Sequence, residues 1–505
     1  MEKKYIFAII WLAMAAVLPL GAQTLNVKTG QVTYAHAAVN TGEMLFANGS
    51  TLTIEGKTYA ISDITGIALS EESVADNTVK VTYNGSTADV LVAGNIAQYL
   101  TVTANGGAVS IVQSDALQQA VSYTLTGSSS NGSFMTNGAY KIAVSLNNLS
   151  LTSASGPAID IQNGKAISLN VVGTNTISDA AGGTHTAAFY INGHPTMTGS
   201  GSMTISGLTK HALSVDEHFI LTSGTINVAQ AVGDGIHVDE RFEMNGGTVN
   251  VTASGDGLDV GFRGVNKGTK DSYAKNGFME LNGGTLTVST SGTATEALKA
   301  DSTIIIAGAT VTASTSGNGT YDSTSNDTSG SSAVKAGGAF QMTKGTLTAT
   351  STGSGGKGIN ATDDVAISGG KVYVTTTGPL YKYDDLDSKP QGIKSDANIV
   401  ISGGDVYVCA GKDDAKATAF KPGTNGVFLI NGGNVMGVGQ KKTTVGSAST
   451  QASKQYTSVK VTSGQTLTYD DLSYTVPSGY SCTSAFVVVS KQPVTEFSGA
   501  KPMNQ

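Results

Sequence analysis

The chain has 505 residues, only 13% of them charged, a formal net charge of −7, and 64 glycines against 9 prolines. An acidic chain whose arginines are Arg241 and Arg263 alone is a poor match to nucleic acid, whose phosphates call for clustered basic side chains. Abundant Ser, Thr and Gly among regularly spaced aliphatic residues exclude both a helical bundle and a disordered chain, and point to short strands joined at glycine corners.

In chain order, Lys3 and Lys4, the apolar run 5–20 and the small-residue site Leu20–Ala22 predict a signal peptide over residues 1–22, cleaved near Ala22. The protein is therefore expected outside the cytoplasm: secreted, at the cell surface or in the periplasm. No second long apolar stretch follows, so no membrane insertion is expected. Residues 23–119 form a β-rich N-terminal segment, in which "STLTIEGKTYAI" and "TVKVTYNGSTADVLVAG" read as hairpins.

From residue 120 to 440 the chain repeats itself. A short apolar motif opens successive copies at Ala158, Ala188, Ala212, Gly235, Gly257, Ala297, Ala333, Gly358, Gly392 and Ala419, and uninterrupted copies lie 22 to 27 residues apart. Each copy holds three alternating segments, as in "IHV", "FEM" and "TVNV" after Gly235, with a Gly pair marking one corner. Three strands per copy predict a parallel β-helix of about ten coils, in which Ile236, Leu258, Leu298, Ile359 and Ile393 stack inside. Residues 441–455 read as a linker or loop, and residues 456–505 as a β-rich C-terminal cap. Cys409 and Cys482 are the only cysteines, and a bridge between them is left open.

The stretches "LNNLSLTSASGPAIDIQNGK", "DGIHVDERFEMNGGTVNV" and "GIKSDANIVISGGDVYV" resemble a family of secreted bacterial carbohydrate-binding proteins. That resemblance implies an all-β, right-handed parallel β-helix shaped like the pectate lyases. It also implies binding of plant-type or acidic polysaccharides, often with calcium on the helix surface.

Asp234, Asp256 and Glu296 take one place in three successive copies. At the ordinary strand spacing of ~4.8 Å, two carboxylates repel by roughly 1 kcal/mol in water and ~3.5 kcal/mol at an effective dielectric of 20. A cation, a basic neighbour or a shared proton must compensate, unless the residues merely cap solvated turns. Calcium, a hard cation that prefers oxygen, fits such a set, and Asp239 and Asp259 complete the candidate metal ligands. Lys299, Lys335 and Lys394 lie on an outward column that suits uronate carboxylates. Insertions beside that column carry Tyr273, Tyr321, Tyr381 and Tyr383, and Tyr373 and Tyr407 face outward on the third strand, all candidates for stacking on sugars. The histidines show no metal-ligand spacing, and no residue stands out as catalytic. The expectation is thus a non-catalytic polysaccharide binder with calcium. A calcium-dependent polysaccharide lyase and a structural adhesin without a sugar ligand fit the same sequence.

Overall fold

The computed structural model describes residues 24–41, 44–262, 275–412 and 416–491, so the expected signal peptide lies outside the described residues. Almost all regular structure is β-strand, and no described helix is long and apolar enough to cross a membrane. The chain divides into two compact units, one of residues 1–152 with 160–170, the other of residues 153–159 with 171–505.

The first unit is built on local hairpins. Thr51–Ile54 pairs antiparallel with Lys57–Ala60 through Glu55 and Gly56, both at positive φ, the two-residue turn whose twist matches that of the strands. Thr78–Asn84 pairs in the same way with Thr87–Ala93. Longer strands then pair in parallel, Val121–Ser129 lying between Thr78–Asn84 and Ile142–Thr152.

The second unit is dominated by parallel ladders. One ladder runs through His211–Val215, Ile236–Val238, Leu258–Val260, Leu298–Ala300, Ser332–Ala336, Lys357–Ala361, Gln391–Ser395 and Thr418–Lys421. Its register aligns Leu213, Ile236, Leu258, Leu298, Val334, Ile359, Ile393 and Phe420 as one buried apolar column. Alternation at period two puts these side chains on one face and their polar neighbours on the other.

The expected right-handed parallel β-helix of about ten three-strand coils is not what the strands build. The main sheet closes as a 12-strand parallel β-barrel with further strands outside it. The physical reason lies at the glycine corners. Ile304–Thr315, Phe340–Ser351, Val365–Thr376, Ile399–Ala410 and Phe428–Gly439 each run 12 residues straight through a corner that the sequence reading treated as a break. Ile304–Thr315 pairs with Phe278–Leu281 along its first half and with Thr285–Thr290 along its second. Gly370, at φ +82°, absorbs the bend with only a register shift, so the ladder turns without breaking and two expected strands become one.

At the C-terminal end, Cys482–Ser490 lies antiparallel on both Phe428–Gly439 and Lys454–Val461. The segment expected as a linker hydrogen-bonds the same outer strand: the Gly446 amide donates to the Phe428 carbonyl (2.7 Å), and the Gln451 amide to that of Ile430 (3.0 Å). Cys409 and Cys482 sit as buried thiols in the apolar cluster beneath.

Candidate functional site

On the face opposite the apolar column, the register places His237, Asp259, Lys299, Lys335, Asn360, Lys394 and Lys421 side by side on successive strands. Asp234, Asp256 and Glu296 occupy the turns just before these strands. The Asp256 amide donates to Asp234 Oδ1 (2.9 Å), and the Glu296 amide to Asp256 Oδ1 (2.7 Å), so the acids are stacked as their spacing implied.

Basic neighbours compensate them. Lys299 Nζ lies 3.1 Å from both Asp256 and Asp259, and Lys335 Nζ lies 3.0 Å from Glu296. His237 touches three carboxylates: Asp259 at 3.1 Å and Asp234 at 3.3 Å through Nδ1, and Asp239 at 2.9 Å through Nε2. Burial alone would lower the His237 pKa, but hydrogen bonds to Asp234, Asp239 and Asp259 outweigh it and push it up to about 11. Burial likewise opposes ionisation of Asp259, and His237 and Lys299 overcome that and lower it. A calcium ion would have to displace Lys299, His237 and backbone amides from these oxygens. Lys299 and Lys335 are therefore engaged with acids and do not offer free charge to a uronate, while Lys394 is held by Asp396 (2.8 Å) and Asn360 (3.2 Å).

His211 escaped the sequence reading. It stands at the place of Asp234 one copy earlier, so the repeat spacing itself could have found it. Its ring stacks on that of His237 (centroids 4.9 Å apart), and its Nδ1 accepts the Asp234 amide at 3.0 Å. Burial is the main reason its pKa falls, to about 4, leaving it neutral.

Glu296 carries a testable consequence. Burial raises its pKa, Lys335 pulls it back, and the charge of Asp256 raises it again, to about 7 from 4.5. A carboxyl whose folded pKa is raised stabilises the fold while protonated, fully below about pH 4.5, and that contribution is lost as pH rises through about 7. Glu296→Gln is expected to gain on the wild type by up to about 3 kcal/mol between pH 5 and pH 8, read from denaturant midpoints. A gap between the two proteins that does not change with pH contradicts this account.

Two insertions rise before strands of the ladder as hairpins, Thr320–Asp322 with Asp327–Ser329 and Tyr381–Tyr383 with Leu386–Ser388. Asn326 and Asp384 take the positive φ that tight turns require. The hairpins bring Tyr321 and Tyr383 together as parallel rings 3.9 Å apart, with Tyr383 exposed, while Tyr381 packs against Gly319. Beneath them Lys357 is buried, donating to Ser388 Oγ (2.9 Å) and the Gly355 carbonyl (3.1 Å), and burial lowers its pKa to about 8. Tyr273 lies outside the described residues. Tyr373 and Tyr407 do stack on each other (5.6 Å), but Tyr474 of the C-terminal segment lies on both and Tyr407 is buried, so they are no open sugar platform.

Next to the second hairpin opens a groove of about 650 Å³, lined by Lys389, Lys416, Lys421, Lys441 and Lys442, with Phe420, Phe428 and Val427 among its apolar lining. Asp387, on the hairpin's returning strand, pairs with Lys389 and with Lys416 (2.8 Å), tying the tyrosine hairpin to the groove rim. Lys421, Lys441 and Lys442 are exposed. The sequence reading missed this groove because two of its lysines belong to the segment taken for a linker.

A family model described as carbohydrate-binding domain-containing protein matches residues 116–385, just over half of the chain. It spans the stacked acids Asp234, Asp256 and Glu296, the first tyrosine hairpin and the outgoing strand Tyr381–Tyr383 of the second, and the lysine groove follows it. No curated protein matches the chain. Among solved structures, the polysaccharide lyase-like protein from C. thermocellum, a gadolinium derivative, is similar at 18% identity and a TM-score of 0.38, over 48% of this chain and 92% of that one. A likeness at that level carries no argument about this chain.

Proposed function

Because the chain belongs to the family of carbohydrate-binding domain-containing proteins, we propose that it binds an acidic polysaccharide, without cleaving it, along the tyrosine hairpins and the lysine groove. The observation that carries this reading is the groove itself: Lys421, Lys441 and Lys442 line it exposed, while Lys389 and Lys416 share Asp387, and a tyrosine pair stacked between the two hairpins stands near it. Exposed lysines each contribute roughly 0.2–1 kcal/mol to a carboxylate contact, so several acting together are needed. Tyr383 supplies an apolar ring whose hydroxyl stays hydrated, as stacking on a sugar face requires. Calcium has no part in this reading, since lysine, histidine and amide groups already compensate the acid column. The protein is taken to act outside the cell, in line with its N-terminal leader pattern.

Retention on polygalacturonate, with little retention on a neutral glucan, is the expected result. The double variant Lys421→Glu/Lys442→Glu should bind at least about tenfold more weakly, equivalent to about 1.4 kcal/mol, and added salt should weaken the wild type in the same way. Release of unsaturated uronate with turnover would assign the protein to the lyases instead. Retention on neither glycan would leave a structural adhesin.

A further inference from the structure

His211, Asp234 and His237 bring one donor atom each to a common point, all within 4.8 Å of one another. Asp234 Oδ2 lies 3.2 Å from His211 Nδ1 and 3.3 Å from His237 Nδ1. Donors held at about 2.0–2.2 Å around a tetrahedral ion are separated by roughly 3.4 Å, so two of the three separations already suit such an ion. We propose that His211, Asp234 and His237 form a binding site for a borderline divalent cation of the zinc class.

Four further points favour this site. The side chain of His237 is held from its far nitrogen by Asp239 at 2.9 Å, the outer-shell carboxylate that typically orients a metal-bound imidazole. Asp259, 3.1 Å from His237 Nδ1, adds a third carboxylate around the cluster, and Lys299, shared between Asp259 and Asp256, offsets it only in part. The donor set of two imidazoles and one carboxylate selects zinc or cobalt over calcium, which prefers oxygen throughout. Asp234 and His237 remain partly exposed, with side chains 17% and 23% accessible, so a fourth ligand can come from solvent. Binding replaces the proton on His237 by the ion and releases that proton to water, and it breaks the hydrogen bond from the Asp234 amide to His211 Nδ1.

The test uses the full chain, stripped with chelator and titrated with zinc, then separately with cobalt and calcium. One equivalent of zinc is expected to raise the melting temperature, and cobalt to give the intense visible absorption of a tetrahedral nitrogen-bound ion. Calcium should do little. His211→Gln and His237→Gln should each weaken zinc binding by at least tenfold, with folding checked by circular dichroism. His194→Gln should leave it unchanged, although His194 and His218 form a second stacked pair (4.5 Å). No cobalt absorption in the wild type would overturn the site without any variant. Zinc binding that survives His237→Gln, or that His194→Gln abolishes, would place the ion elsewhere and overturn it as well.

Discussion

Replacing Ile236 by Asp is expected to destabilise the fold by about 4 kcal/mol or more, whereas Thr287→Asp should change stability by less than about 0.5 kcal/mol. Ile236 is fully buried, with Leu213 and Leu258 on the strands either side of it. A carboxylate there has no partner and must either stay charged in an apolar column or take up a proton, and both cost free energy. Thr287 is exposed, aligned with Asn250 on one side and Thr312 on the other. A new charge at that position remains in water. Urea or guanidinium titrations of the two variants measure the contrast, and similar midpoints would mean that the faces of the ladder have been assigned the wrong way round.

Gly353→Ala is expected to be the next most damaging change, at about 3 kcal/mol, the upper end of what overpacking usually costs. A Cβ on Gly353 would stand 1.7 Å from the Gly317 carbonyl oxygen. The neighbours are equally close, for a Cβ on Gly317 would meet Gly292 O at 1.7 Å and one on Gly378 would meet Gly353 O at 1.8 Å. These are backbone atoms, so no side chain can swing away to make room. At Gly261 a Cβ would find its nearest neighbour at 3.6 Å, and Gly261→Ala should be close to neutral. Equal denaturation midpoints for the two variants would rule out close backbone approach as the reason for glycine at position 353.

Ile236, Leu258 and Leu298 could be aligned from sequence because parallel strands repeat their register at a constant interval, and an inward aliphatic residue is punished if it slips by one. The outward column from His237 to Lys421 was legible for the same reason. The closure of the sheet was not. Whether a Gly pair breaks a strand or bends it depends on hydrogen bonds to neighbouring strands, and "SGG" at Ser368 reads alike in both cases. Tyr373 and Tyr407 were visible as outward rings on one face, yet the ring that covers them, Tyr474, comes from a segment whose docking leaves no periodic trace. The candidate site was half legible. The acids at Asp234, Asp256 and Glu296 were found as neighbours, but their partners were not, since a lysine's reach across to the next strand depends on rotamers that no pattern encodes. Lys441 and Lys442 were passed over because a polar segment without alternation looks like a linker even when its amides are tied to the outer strand.

The antiparallel strand Cys482–Ser490 and the segment before it have a meaning beyond packing. A parallel ladder presents at its end the same row of amides and carbonyls that every internal strand presents to its neighbour, so the last strand could recruit another copy of the chain as readily as it recruits its own. The segment from Gly446 to Gln451 and the reversed strand occupy those groups on Phe428–Gly439. In the language of polymerisation they act as a chain terminator: the final pairing runs in the opposite direction, and growth that depends on parallel templating has no next step. Extension of the sheet by edge pairing at Phe428–Gly439 is therefore blocked by the chain's own reversed strand.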